Sequence, residues 1–151
     1  WPDFDASTQE RGFFGFDKKE DVKYILISEK GCADPSAEYS LELADGLLPL
    51  DIHTFDKDAF ILENEQVHKV TLYTKEKKAC LSLHFHTPVV GLWSPPAKNA
   101  PFVCIEPWYG RCDRAHYTGE YKDKDWMQHL QPKDIFQGGY TLEFDELLMN
   151  N

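Results

Sequence analysis

Apolar and polar residues alternate with a period of two along much of this chain, the spacing of a strand with one buried face. Tyr39, Leu41 and Leu43 are separated by Ser40 and Glu42, and Ala79, Leu81, Leu83 and Phe85 by Cys80, Ser82 and His84. Tyr140, Leu142 and Phe144 alternate with Thr141 and Glu143. Runs rich in β-branched and aromatic residues predict further strands over 22–28, 59–63, 67–74, 89–93 and 102–106. Turn formers separate them: Gly31, Asp34-Pro35-Ser36, Asp45-Gly46, Ser94-Pro95-Pro96 and Gly138-Gly139. Only residues 123–130 suggest a helical turn, with Trp126, His129 and Leu130 on its apolar side and Pro132 limiting it. The fold class this implies is all-β, an antiparallel β-sandwich rather than a βαβ architecture. Residues 1–21 read as an irregular N-terminal segment, with Gly12-Phe13-Phe14-Gly15-Phe16 an ordinary strand or loop, and Asn150 and Asn151 read as a frayed tail.

Length and composition narrow the class further. At 151 residues, 42% hydrophobic and 14% aromatic, the chain suits one domain with a real core and is unlike a disordered segment. Its formal charge of −10 repels a phosphate backbone or an anionic membrane surface, so neither nucleic acid nor membrane is expected as a partner. No apolar run reaches the roughly 20 residues of a spanning helix. The opening WPDFDAST lacks both the pattern of a signal peptide and an initiator Met, so a processed product or a fragment is expected. Cys32, Cys80, Cys104 and Cys112 form neither a CxxC pair nor a regular framework. They read as separate free thiols of a reducing, cytoplasmic environment.

Candidate chemistry is concentrated in PFVCIEPWYGRCD, residues 101–113. Alternation places Phe102, Cys104 and Glu106 on one face of a strand and Val103 and Ile105 on the other. Pro107 holds Glu106 in extended backbone. A carboxylate is thereby fixed at a strand end beside Trp108 and Tyr109, suited to general-base work. The rival reading is a solubilising acid at an ordinary turn. His84 and His86, two apart on a strand, could reach one metal, but no carboxylate follows until Glu106 to complete a ligand set. They read as half-exposed residues on the polar side of a strand, and no metal is expected.

The same segment, preceded by VVGLWSPPAKNA, resembles the aldose 1-epimerase (galactose mutarotase-like) family, in its lactose-operon-type branch. The matching features are Trp93-Ser94, Lys98, the apolar strand closing in Glu106-Pro107-Trp108, Gly110 and Asp113. His129 to Phe136 followed by Tyr140 to Phe144 is similar to the family's closing turn and last strand. Leu48-Pro49-Leu50 and Phe55 to Phe60 are similar to its middle section, so the likeness spans about residues 23–144. The resemblance implies a galactose mutarotase-like sandwich and interconversion of the α and β anomers of an aldose by acid–base ring opening, without a cofactor. It implies Glu106 as the catalytic base and Asp58, in Asp58-Ala59-Phe60, as a sugar-binding carboxylate. Trp93, Trp108 and Tyr109 are then walls for an apolar sugar face. The alternative on the same scaffold is a carbohydrate-binding sandwich without turnover.

One departure stands out. The family's acid is a His in a His-Pro context before the middle section, helped by an upstream Arg. Ahead of Lys23 this chain has Arg11 but no His. The resemblance therefore implies either a single sandwich domain or the C-terminal half of a larger one. Its expected partners are a monosaccharide and, to cover the cut sheet edges, the missing N-terminal half or copies of itself.

Overall fold

Two kinds of apolar pattern sort into two sheets. The computed structural model describes residues 1–145, so the Asn150-Asn151 tail lies outside the described residues. In chain order the strands are β1 (Glu10–Phe16), β2 (Lys23–Ile27), β3 (Ala33–Ser40), β4 (Leu47–Asp51) and β5 (Phe60–Glu63). They continue with β6 (Lys69–Tyr73), β7 (Ala79–Phe85), β8 (Val89–Trp93), β9 (Cys104–Trp108) and β10 (Tyr140–Phe144). One antiparallel sheet runs β10-β7-β6-β1-β4 and the other β3-β2-β5-β8-β9. This is the expected all-β sandwich.

Between the sheets lies a core drawn from both: Phe14, Leu50, Val70 and Leu83 from the first, and Phe60, Leu62, Val90 and Leu92 from the second. Strands of the first sheet alternate, because their outer face carries polar residues such as the cross-strand pair Thr71 and Ser82, whose hydroxyls lie 2.8 Å apart. The second sheet differs. The runs FILE in β5 and VVGLW in β8 have no polar position before their ends, because both faces are covered. Ile25, Ala33, Ala59, Ile61 and Val89 form a second apolar cluster on the outer face, joined by Trp93, Trp108 and Trp126.

Several sequence expectations are corrected. Residues 1–21 are not an irregular segment throughout, since β1 pairs with both β4 and β6 inside the first sheet. Asp34-Pro35-Ser36 does not end a strand. It makes a bulge within β3, where the register jumps from Asp34 opposite Leu26 to Tyr39 opposite Tyr24. An outermost strand tolerates that proline because no ladder bond is lost. Of the Tyr39-Leu41-Leu43 alternation only Tyr39 lies in the strand. Residues 123–130 form no helix; a single 3-10 turn covers Tyr121–Asp123. The strand predicted over 102–106 sits two residues later, and Pro107 is accommodated because β9 is an edge. All four cysteines are free thiols, in agreement with their spacing.

The chain leaving β9 folds back over the outer face of the second sheet and is held there by charge. Arg111, with its side chain only 1% exposed, donates from Nε to Glu63 at 2.5 Å and from Nη2 to Asp125 at 2.7 Å. Arg114 also pairs with Asp125 through both its Nε and Nη2, and the Trp126 indole N–H donates to Glu63 at 2.7 Å. The Arg114 and Arg111 guanidiniums hold the Asp125 carboxyl below the usual carboxylate range against the opposing effect of burial. At the opposite edge the cover stops short. Tyr140, Leu142 and Phe144 lie opposite Phe85, Leu83 and Leu81, yet stay 65%, 45% and 55% exposed. An apolar cavity of about 370 Å³ opens there between β9 and β10, lined by Leu72, Leu83, Val103 and Ile105.

Two outcomes are expected. Replacing Arg111 by Ala strands Glu63 in a buried setting and leaves Asp125 to Arg114 alone, and should cost about 3–5 kcal/mol in urea unfolding; a loss below about 1 kcal/mol would show the Glu63 pair to be solvated. A depressed carboxyl contributes stability that is complete above its unfolded pKa of about 3.9 and fades as pH falls through the folded value. Asp125→Asn should therefore remove part of the acid sensitivity below about pH 4, read as a smaller drop in melting temperature than in the unaltered chain.

Candidate active site

Register pairing lays out the outer face of the second sheet in rows. Glu63 lies opposite Val89, which lies opposite Trp108. In the next row Ile61 faces Gly91, and Gly91 faces Glu106. Beyond it Trp93 faces Cys104. Directly paired residues point to the same side of a sheet, so Glu106 shares this face with Trp108, Trp93 and Cys104. Val103 and Ile105 pack instead against the core between the sheets, as the alternation predicted.

Gly91 shapes the site. A Cβ at that position would lie 2.6 Å from the Cη2 and Cζ2 atoms of Trp108, so the indole lies across the glycine directly beside the Glu106 row. The sequence signal was present: a lone glycine inside an apolar strand marks a close approach. Cys104 shares the face of Glu106, as the alternation predicted. Burial, and after it the adjacent Glu106 carboxylate, pushes its thiol up. Among the described residues no lysine, arginine or histidine pairs with Glu106. The carboxylate is half-buried, without an ion-pair partner there, and flanked by two tryptophans.

The other expected residues are placed as follows. Asp58 lies two residues before the start of β5, at the sheet end where Trp93 and Cys104 lie. Its backbone is left-handed at φ 73°, and its Oδ1 accepts the Ala59 N–H at 2.7 Å. Trp93 packs on the outer cluster and against Phe102, with ring centroids 6.3 Å apart. Tyr109 has different neighbours. Its ring meets Phe136 edge-on at 4.8 Å and crowds Gly138, which ties down the 136–138 loop. His84 lies in the other sheet and His86 just beyond its strand; His84 contacts Glu143 at 2.8 Å, and the His86 ring is tilted against His68 with centroids 5.0 Å apart. No group of three His, Cys, Asp or Glu side chains converges among the described residues.

A cavity of about 820 Å³ opens over Glu63, which lies two strands and one row from Glu106. It is lined by Glu63, Arg111, Arg114 and Trp126 together with Asp34 and Ser36 of β3. Sequence reasoning did not find it, because its walls come from three separate parts of the chain.

Comparison with known proteins follows the same lines. No protein-family model matches the chain. Over 96 residues it is 29% identical to the plasmid and chromosomal LacX proteins of Lactococcus lactis subsp. lactis, covering 63% of this chain and 32% of each LacX. The crystal structure of a galactose mutarotase related enzyme from Lactobacillus acidophilus superposes with a TM-score of 0.77 at 29% identity, over 88% of this chain and 44% of that one. A galactose mutarotase-like protein from Lactobacillus casei gives a TM-score of 0.69 at 21% identity, over 86% and 43%, a likeness of fold alone. The chain thus spans less than half the length of the solved structures and about a third of the LacX proteins, a share that fits the C-terminal portion of a longer sandwich. In fold it is like the galactose mutarotase-related structures, and in sequence it is similar to one of them and to the LacX proteins.

Proposed function

We propose that the chain carries the base half of an aldose 1-epimerase site, acting on a hexose or a related aldose in the cytoplasm. The observation behind this is an uncompensated carboxylate, Glu106, on a sheet face whose neighbouring positions are Trp93 and Trp108. An aromatic ring gives the C–H face of a pyranose an apolar surface to lie on. From that position Glu106 takes the proton of the anomeric hydroxyl as the C1–O5 bond breaks and O5 gains a proton from an acid. The open aldehyde turns about its C1–C2 bond and recloses from the other face, returning both protons. Asp58, at the adjoining end of β5, holds a sugar hydroxyl with its remaining oxygen. No redox change occurs, so the residues need supply only proton transfer and orientation.

The acid is the unfilled role. Each histidine with an assigned contact is engaged elsewhere: His53 with Asp56, His68 with His86, His84 with Glu143 and His116 with Glu29. We assign the acid to further polypeptide packed against this domain, of the kind that makes up more than half of the solved relatives. The same observation supports the second reading, a carbohydrate-binding sandwich that keeps the aromatic walls without turnover.

Polarimetry on freshly dissolved α-glucose and α-galactose separates the two. Catalysis predicts relaxation faster than buffer, with a loss of about 10²-fold or more in Glu106→Gln. Sugar binding with no acceleration would leave only the binding module. Gly91→Ala should displace the Trp108 indole and weaken sugar binding several-fold in calorimetry, with far-UV circular dichroism unchanged; unaltered affinity would remove Trp108 from the site.

A further inference from the structure

Three histidines, His68, His84 and His86, line one cavity of about 680 Å³ on the first sheet, together with Asp17 and Lys69. His84 and Lys69 both turn to Glu143, at 2.8 and 3.6 Å. His68 and His86 have no carboxylate partner among the described residues. They flank the open end of the β6–β7 hairpin, one residue before β6 and one after β7. There the Phe85 N–H donates to the His68 carbonyl at 2.9 Å, which fixes the spacing of the two backbones.

Two observations single out this pair. The first is the geometry of the rings, whose centroids lie 5.0 Å apart at a tilt of 44° rather than in a flat stack. An imidazole nitrogen binds zinc at about 2.0–2.1 Å, so two such ligands on a tetrahedral ion set their ring centroids about 5 Å apart. The observed spacing is that of two ligands of one ion. The second is His68 Nδ1, which is buried and meets no hydrogen-bonding group among the described residues. Buried polar atoms are nearly always partnered, so an orphaned ring nitrogen points to a group that the chain does not itself supply. The His86 side of the pair is exposed, and a ring so placed turns readily to present a nitrogen.

Charge and donor type narrow what fits. Asp17 accepts the His68 backbone N–H at 3.1 Å through each carboxylate oxygen and brings negative charge to the cavity of a chain whose formal charge is −10. Imidazole nitrogens suit zinc, copper and nickel, whereas magnesium and calcium take oxygen ligands. With no third His, Cys, Asp or Glu converging among the described residues, the remaining coordination positions fall to water. Such a site exchanges its ion with solution, unlike a closed four-ligand centre.

We propose that His68 and His86 form a two-histidine site for a late first-row divalent ion, zinc above all, which clasps the ends of β6 and β7. It is not the pair that spacing along β7 suggests, because His84 is committed to Glu143. The site belongs to the first sheet and Glu106 to the second, so it stands or falls apart from the ring-opening chemistry.

Titration calorimetry with zinc chloride, on the full chain stripped with a chelator, tests it, and magnesium chloride serves as the oxygen-seeking control. Zinc should bind at one equivalent and about 100-fold or more tightly than magnesium. His68→Ala and His86→Ala should each weaken zinc binding about tenfold or more, whereas His84→Ala should change it by less than about threefold. Zinc should also raise the melting temperature of the unaltered chain and not that of His86→Ala. Because His86 is exposed, its replacement leaves the fold intact, checked by far-UV circular dichroism, and it decides the matter even where His68→Ala fails to fold. Absence of zinc binding at millimolar concentration overturns the site, as does affinity that survives His86→Ala. A loss confined to His84→Ala and His86→Ala, with His68→Ala unchanged, overturns it as well, since the ion would then sit on the strand pair.

Discussion

Strand β8 buries both of its faces, and much of the rest follows from that. Val90 and Leu92 enter the core between the sheets, while Val89, Gly91 and Trp93 face outward beneath the second cluster. A strand placed this way leaves no room for a solvating residue along its length, which is why VVGLW has none. It also forces the outer face to be covered, because roughly 25 cal/mol is lost for each square ångström of apolar surface left in water. The cover is the stretch after β9, and Arg111, Asp125 and Trp126 bind it to Glu63 where it meets the sheet.

Covering an apolar face with a polar loop has an electrostatic cost that the Arg111 network offsets. A buried guanidinium alone would be strongly destabilising, whereas one that donates to two carboxylates has both its charge and its N–H groups satisfied. The same bonds fix Trp126 through Glu63 and Arg114 through Asp125. Loop anchoring and cavity construction are thus one set of interactions. Glu106 stands outside that set, without a cation among the described residues. A carboxylate free of an ion pair can accept a substrate proton, whereas one locked to arginine resists doing so.

The open side between β9 and β10 belongs in the same picture. Tyr140, Leu142 and Phe144 point inward and remain exposed because the second sheet ends at β9. Inward-facing residues left exposed at the sheet edges keep apolar surface in contact with water. The solved relatives, more than twice as long as the matched span, show that this arrangement of strands occurs within larger sandwiches.

Most of the strands, and the face on which Glu106 lies, were legible in the residues, because alternation and continuous apolar runs report burial directly. Cys104-Ile105-Glu106-Pro107-Trp108 carried its own orientation: Pro107 permits only an edge, and parity puts Glu106 and Trp108 together. Local pattern misled where an edge tolerated it, as with Asp34-Pro35-Ser36, a turn signature absorbed as a bulge, and at 123–130, where spacing suggested a helix that Trp126's bond to Glu63 replaces. What the sequence by itself determined was the period of each strand and the residues each face would carry, since those depend on neighbours one and two positions away. Only the tertiary structure decided that Trp108 lies over Gly91, that Glu63 meets Arg111 across 48 positions, and that Tyr109 turns to Phe136. Such contacts arise from strand order and loop closure, which bring together distant residues that no local periodicity connects.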